Sequence, residues 1–359
     1  MKKAIIIAII TIVLILIGIL GATFFYTNMM EPVNRNGEEV KINIAEGTTS
    51  IGIGEILKQN DLIKNETVFK MYVKMNNIND MKAGNYILNK NMSVSEIVET
   101  LVEGPDKDHK TIDITFLEGK NMRWIAKTIQ EKTNNTEEDV YNTLSDVNYL
   151  NELIQKYWFI TEDIKNDQIY YSLEGYLFPD TYNFKNENIS VQEIFNTMID
   201  EMETNLKPYK EEIQGSGLSV HKLLTVASIA ELEAGIKDDR AGVASVIYNR
   251  IKYKMALGSD VTTYYSIKVD MSERDLKQSE LDSNNPYNTR GPNMQGKLPV
   301  GPICMVSKDS ITAALHPDET EYLYFVADKN GKIYFAKSNQ EHQQNIQKIK
   351  KSGLWFDYE

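Results

Sequence analysis

The stretch LLTVASIAELEAG, Leu223 to Gly235, decides how this chain is read. On a 3.6-residue helix, Leu223, Leu224, Ala227, Ala230 and Glu231 fall on one stripe, because steps of three and four stay on the same face. An apolar stripe faces a core, so Glu231 is expected to point inward. Glu233, two positions on, is rotated by about 200° and is expected to leave the helix in another direction. The two carboxylates are therefore not expected to act as a pair. A carboxyl set in an apolar wall loses solvation of its charged form, so its pKa rises and it can hold a proton as a general acid near neutral pH. The competing expectation is a structural glutamate in the last helical turn, paired with Arg240 or Arg250.

Downstream, DRAGVASVIYNRI predicts a second helix with Val243, Val246, Ile247 and Ile251 inward, and EYLYFVADKNGKIYFAK predicts two strands around Asn330-Gly331. Residues 216–359 thus read as a mixed α+β catalytic region. Upstream, residues 110–215 are polar and mostly helical in pattern, interrupted by LEGYLFPDTYNF from 173 to 184. The aromatics and the Pro-Asp step of that insert predict a loop or short strand. Its rings serve either as an exposed surface that stacks on sugars or as core.

A β-α unit is written twice. VKINIAEGTTSIGIGEILKQ alternates at Val40, Ile42 and Ile44, turns at Glu46-Gly47 and then takes helical spacing; IDITFLEGKNMRWIAKTIQE repeats this 72 residues later with Ile112, Ile114, Phe116 and Glu118-Gly119. Between the copies lie a predicted helix at 67–75, a strand around 86–88 and a helix opened by a capping box, Ser93 with Glu96. Residues 38–104 therefore form a small β-α-α-β-α module, followed by a polar connector at 103–110.

The N-terminus carries Lys2 and Lys3 and then an uncharged run from Ala4 to Tyr26. As a helix that run is about 35 Å long, enough to cross a bilayer core. It ends in bulky Phe24, Phe25 and Tyr26 and has no small-residue cleavage motif, so residues 1–30 are expected to be an uncleaved anchor. The lysines place the N-terminus in the cytoplasm and the bulk of the chain outside the cell membrane. With one cysteine, Cys304, no internal disulfide can form, and stability must come from hydrophobic cores. A net charge of −12 and a pI near 5.0 argue against nucleic acid as a partner.

The four histidines, at 109, 221, 316 and 342, have no metal-ligand spacing, so no metal and no cofactor are expected. G-x-S-x-G and phosphate-cradling glycine loops are missing as well. What is left is Glu231, a candidate protonated acid of the kind that glycosidic bond cleavage requires.

LLTVASIAELEAG followed by DRAGVASVIYNRI, GSDVTTYYSI, YNTRG, LPVGPI and HPDETEYLYFVAD resembles the YceG-like family of membrane-bound endolytic murein transglycosylases, over essentially the full length. The resemblance implies peptidoglycan glycan strands as substrate, a neighbourhood of peptidoglycan synthases, and a LysM-like glycan-binding unit at 38–104. It places the family's catalytic glutamate on Glu231. SDVTTYY matches a family segment T-D-P-T-x-x-Y with Val261 in place of the proline, which makes Asp260, Thr262 and Tyr265 or Tyr264 expected cleft residues. Asn249 and Arg250 match the family's N-R pair, and Tyr287, Asn288 and Thr289 its Y-N-T.

A lytic transglycosylase needs one carboxyl, which protonates the bridging oxygen and then, as carboxylate, deprotonates the 6-hydroxyl of the muramyl sugar as it closes a 1,6-anhydro ring. A muramidase would need a second carboxylate across the cleft, for which Asp260 is the candidate. A chain of this kind without catalysis would be an anchored glycan-binding scaffold.

Overall fold

A computed structural model of the chain describes residues 18, 20–34, 37–105 and 111–355. Most of the expected span from Ala4 to Tyr26 lies outside these residues, and among those described no helix is long and apolar enough to cross a membrane. The chain divides into two compact units, Met1–Thr111 and Ile112–Glu359.

In the first unit, strand β1 (Glu39–Ile44) pairs antiparallel with β2 (Gly84–Asn89), with Val40 opposite Leu88 and Ile42 opposite Tyr86. Alternation turns Ile42, Ile44, Tyr86 and Leu88 toward the helices Ser50–Gln59, Glu66–Met75 and Val94–Glu103, where Leu57, Phe69, Ile97 and Leu101 complete the core. Each helix starts where a side chain caps it: Thr49 accepts from Gly52, Asn65 from Val68, and Ser93 forms the predicted capping box with Glu96. The order is β-α-α-β-α, as the sequence pattern predicts.

The second unit opens with the second copy of the β-α motif. Strand β3 (Ile112–Thr115) leads through Gly119, at φ +72°, into the helix Met122–Lys132, much as β1 leads through Gly47, at φ +80°. Its sheet partner is β4 (Thr181–Phe184), in the antiparallel register Ile112 to Phe184 and Ile114 to Tyr182. The insert at 173–184 therefore contains a strand, and its rings Tyr176, Phe178, Tyr182 and Phe184 are all buried. They serve as core, so the insert presents no aromatic platform for sugars.

Residues that the sequence pattern assigns to two regions, on either side of 215, share one buried core in this unit, from Ile114 through Phe195 and Leu224 to Ile333. At its centre lies the helix Val220–Glu233, packed against Arg240–Lys252 and Lys308–Leu315. Val243, Val246 and Ile247 are buried on Arg240–Lys252, as predicted, and Ile251 is half-buried. The hairpin is present as β5 (Tyr324–Ala327) and β6 (Ile333–Ala336), with Gly331 at φ +81° in the turn.

Gly175 holds the insert against the core. It has φ +78°, and a β-carbon there would lie 2.3 Å from Cβ of Pro302, a rigid ring that cannot swing away. Gly175→Ala is expected to destabilise the unit by more than about 1 kcal/mol, through both the left-handed backbone and the clash. Thermal melting should fall by at least about 2–4 °C.

Candidate active site

The helix Val220–Glu233 is capped by Ser219 and buried on every face, since Leu223, Leu224, Thr225, Val226, Ala227, Ser228, Ile229 and Ala230 are all enclosed. The run from 223 to 230 has no outward side, and both carboxylates beyond it meet protein.

Glu231 points inward, as expected, and finds charge there in place of an apolar wall. Oε1 accepts from Arg240 Nη2 at 2.6 Å; Oε2 accepts from the Ser307 backbone N–H at 3.0 Å and from the Ser307 hydroxyl at 2.6 Å. Arg240 Nη1 donates to the same hydroxyl at 2.9 Å, and Ser307 is the N-cap of Lys308–Leu315. The Glu231 and Arg240 side chains are 5% and 7% exposed. Both oxygens of Glu231 are thus occupied by donors in a closed ion-pair network, the structural alternative that the sequence left open.

Glu233 does not leave the helix for solvent. Its Oε1 accepts from the Ser259 hydroxyl at 2.5 Å, and Oε2 makes no hydrogen bond among the described residues. The residue keeps partial contact with solvent, yet enough protein surrounds the carboxyl that lost solvation raises its pKa. The Ser259 bond opposes that rise, the charge of Asp260 adds to it, and Arg290 and Arg250 counter it. Asp260 and Arg290 are joined, Nε to Oδ1 at 2.5 Å, and both are exposed. Glu233, Ser259, Asp260, Arg290 and Arg250 therefore form one electrostatic cluster.

Of the other expected cleft residues, Thr262 and Thr289 are bonded into this cluster, and the rest take partners elsewhere in the unit. Thr262 and Thr289 are fully buried and bonded to each other at 2.8 Å; Thr289 Oγ1 accepts from Ser259 N at 3.0 Å, which fixes the serine under Glu233. Asn288, also fully buried, donates to the carbonyls of Leu281 and Ser283 and accepts from Thr263. Asn249 donates to the carbonyls of Thr320 and Tyr322. Arg250 spends Nε on Leu323 O and Nη1 on Leu257 O, each at 2.6 Å. Tyr264 donates to Arg274 O. Tyr265 and Tyr287 are buried and packed ring to ring, with centroids 4.7 Å apart. Of the ten expected residues, only Asp260 is exposed, and Thr262 and Thr289 position the site through Ser259.

A further carboxyl, Glu174, escapes the sequence reading. It is enclosed in the core, where it accepts from Met122 N with both oxygens and from Tyr265 Oη at 2.8 Å. Burial pushes its pKa up to about 7, against the hydrogen bonds of Met122 and Tyr265 and the charge of Arg123. Among the described residues no group of His, Cys, Asp and Glu side chains is placed to hold a metal.

The sequence profile of the YceG-like family matches residues 42–348. The chain belongs to the YceG-like family. It is 39% identical over 333 residues to an endolytic murein transglycosylase of Bacillus subtilis, covering 92% of this chain and 91% of the relative. An endolytic murein transglycosylase of Streptococcus pneumoniae is 31% identical over 346 residues, 91% of this chain and 62% of that longer protein. Among solved structures, a crystal structure of a yceG-like protein of Listeria monocytogenes superposes with a TM-score of 0.61 at 35% identity, covering 86% of this chain and 99% of that one.

Two outcomes follow from this YceG-like site. Glu231→Gln removes the charge that compensates buried Arg240, so it is expected to cost about 3–5 kcal/mol, measured by urea denaturation. Glu174 has a folded-state pKa of about 7 against 4.5 for the free group. The stability conferred by its retained proton is present in full below the free value and is lost as pH rises through about 7. Denaturation between pH 5 and 8 should show stability falling with pH, and the fall should be smaller in Glu174→Gln.

Proposed function

We propose that this chain is an endolytic lytic transglycosylase of peptidoglycan in which Glu233, and not Glu231, is the single acid and base. The carrying observation is the contrast between the two carboxyls: Glu231 has both oxygens occupied by Arg240 and Ser307, whereas Glu233 is raised in pKa by burial and, among the described residues, accepts no hydrogen bond at Oε2. A retained proton on Oε2 can pass to the bridging oxygen as the glycosidic bond breaks. The resulting carboxylate then takes the proton of the C6 hydroxyl as that oxygen attacks C1. The anhydro ring closes, the acid is regenerated, and no water enters. Ser259 holds Oε1 throughout and so fixes the plane of the carboxyl.

Asp260, beside Glu233, is suited to offset the positive charge that develops at C1. Its carboxylate is bound to Arg290, which fits an electrostatic role better than that of a second acid or base in a muramidase. The remaining parts of the reading rest on sequence and element order. The β-α-α-β-α unit is a LysM-like glycan holder, and the run from Ala4 to Tyr26 anchors the chain to the cell membrane with its bulk outside, near peptidoglycan synthases.

Glu233→Gln is expected to lower the yield of anhydro-muramyl ends at least about a hundredfold, with little change in the thermal melt. Mass spectrometry of products from purified strands decides the reaction type, because an anhydro end is lighter than a hydrolysed end by one water. Hydrolysed ends would shift the assignment to a muramidase, and absence of any cleavage would leave the glycan-binding scaffold.

A further inference from the structure

On a chain with a net charge of −12, two arginines converge beside Glu233. Arg250 and Arg290 flank Gly258: a β-carbon on that glycine would lie 3.6 Å from Arg250 Nη1 and 3.8 Å from Arg290 Nη1. Two guanidinium groups converge there against one exposed carboxylate, Asp260, when Glu233 holds its proton. The arginines differ in what they have left to offer. Arg250 is locked by Leu323 O, Leu257 O and Ala256 O, lies over the Tyr324 ring and is half-buried. Arg290, by contrast, has a side chain 40% exposed, binds Asp260 through Nε, and makes no hydrogen bond with Nη1 or Nη2 among the described residues. Those two nitrogens are an unused donor pair of the fork geometry that fits a carboxylate.

Building on the proposed transglycosylase reading, we infer that Arg290 is a specificity-determining residue that binds a carboxylate of the substrate beside the scissile bond. Arg250 lies behind it as fixed positive charge. The chemistry of the glycan supplies such a group. Each muramyl sugar bears a lactyl ether that ends in a free carboxylate where no stem peptide is attached, and stem peptides carry carboxylates of their own. Asp260 holds the Arg290 side chain in place through Nε and leaves its far edge open to this ligand.

The test uses the full chain in detergent and three kinds of strand. The first is peptide-free with lactyl carboxylates, the second is the same material with those groups converted to neutral methylamides, and the third retains its stems. Affinity is measured by fluorescence anisotropy, and anhydro ends are counted in parallel. The wild type is expected to prefer the carboxylate strand to its methylamide by about tenfold, the size of one charge-assisted contact at an exposed site. Arg290→Gln should bring that ratio close to one, and Arg290→Lys should restore part of it. The ratio compares two ligands on one sample, so partial loss of folded protein cancels. Selectivity that depends on Arg290 only for stem-bearing strands assigns the carboxylate to the stem. A wild type without charge preference, or a ratio equal in wild type and Arg290→Gln for every strand, overturns the inference. Loss of anhydro products with the binding ratio intact removes the transglycosylase reading alone.

Discussion

The buried contact of Glu231 with Arg240 and Ser307 is the constraint on which the site is built. It ties the C-terminal end of Val220–Glu233 to the first turn of Arg240–Lys252 and to the N-cap of Lys308–Leu315, three helices that pack on one another in the core. A buried ion pair adds little net stability over an apolar substitute, but removing one partner strands the other. Its value here is geometric. With Glu231 held from two other helices, Glu233, two residues on, meets Ser259 from another side of the same turn.

On the proposed reading, the E-x-E pair divides two tasks that would conflict in one residue. A carboxylate saturated by donors has no free oxygen to offer a substrate. A carboxyl that must exchange a proton needs an open oxygen and a poorly solvated surround. The spacing of two residues supplies both, because it separates the side chains by more than half a turn of a helix that protein encloses on all faces. The threonine side chains of 262 and 289 extend the same logic to the loops, holding Ser259 through Thr289, while Asn288 ties Thr263 to the carbonyls of Leu281 and Ser283.

Much of the fold was legible in the sequence, because its signals are local. Strand alternation at Ile42 and Ile44, the glycine turns at 47 and 119, the Ser93 capping box and the hairpin at Asn330-Gly331 depend on neighbours within a few residues. The YceG-like resemblance likewise rested on short ordered motifs, and the family match supports it. Where the reading stayed open or missed a residue, distance in the chain was the cause. The aromatics of 173–184 are core because β4 pairs with β3 some seventy residues earlier. Glu174 meets Met122 and Tyr265, which lie 52 and 91 residues away.

The choice between the two glutamates shows the boundary most clearly. From the sequence alone came a helix and a carboxylate at its inward end. The same residues held one unused signal, since the run from Thr225 to Ala230 carries no charge and only small or apolar side chains, the composition of a helix buried all round. The partners of each carboxyl were settled only in three dimensions. Arg240 and Ser307 reach Glu231 from two other helices, and Ser259 comes to Glu233 from a loop held by Thr289. A helical wheel orders side chains around one axis, whereas the proton affinity of a carboxyl is set by charges and solvation brought to it by the rest of the chain.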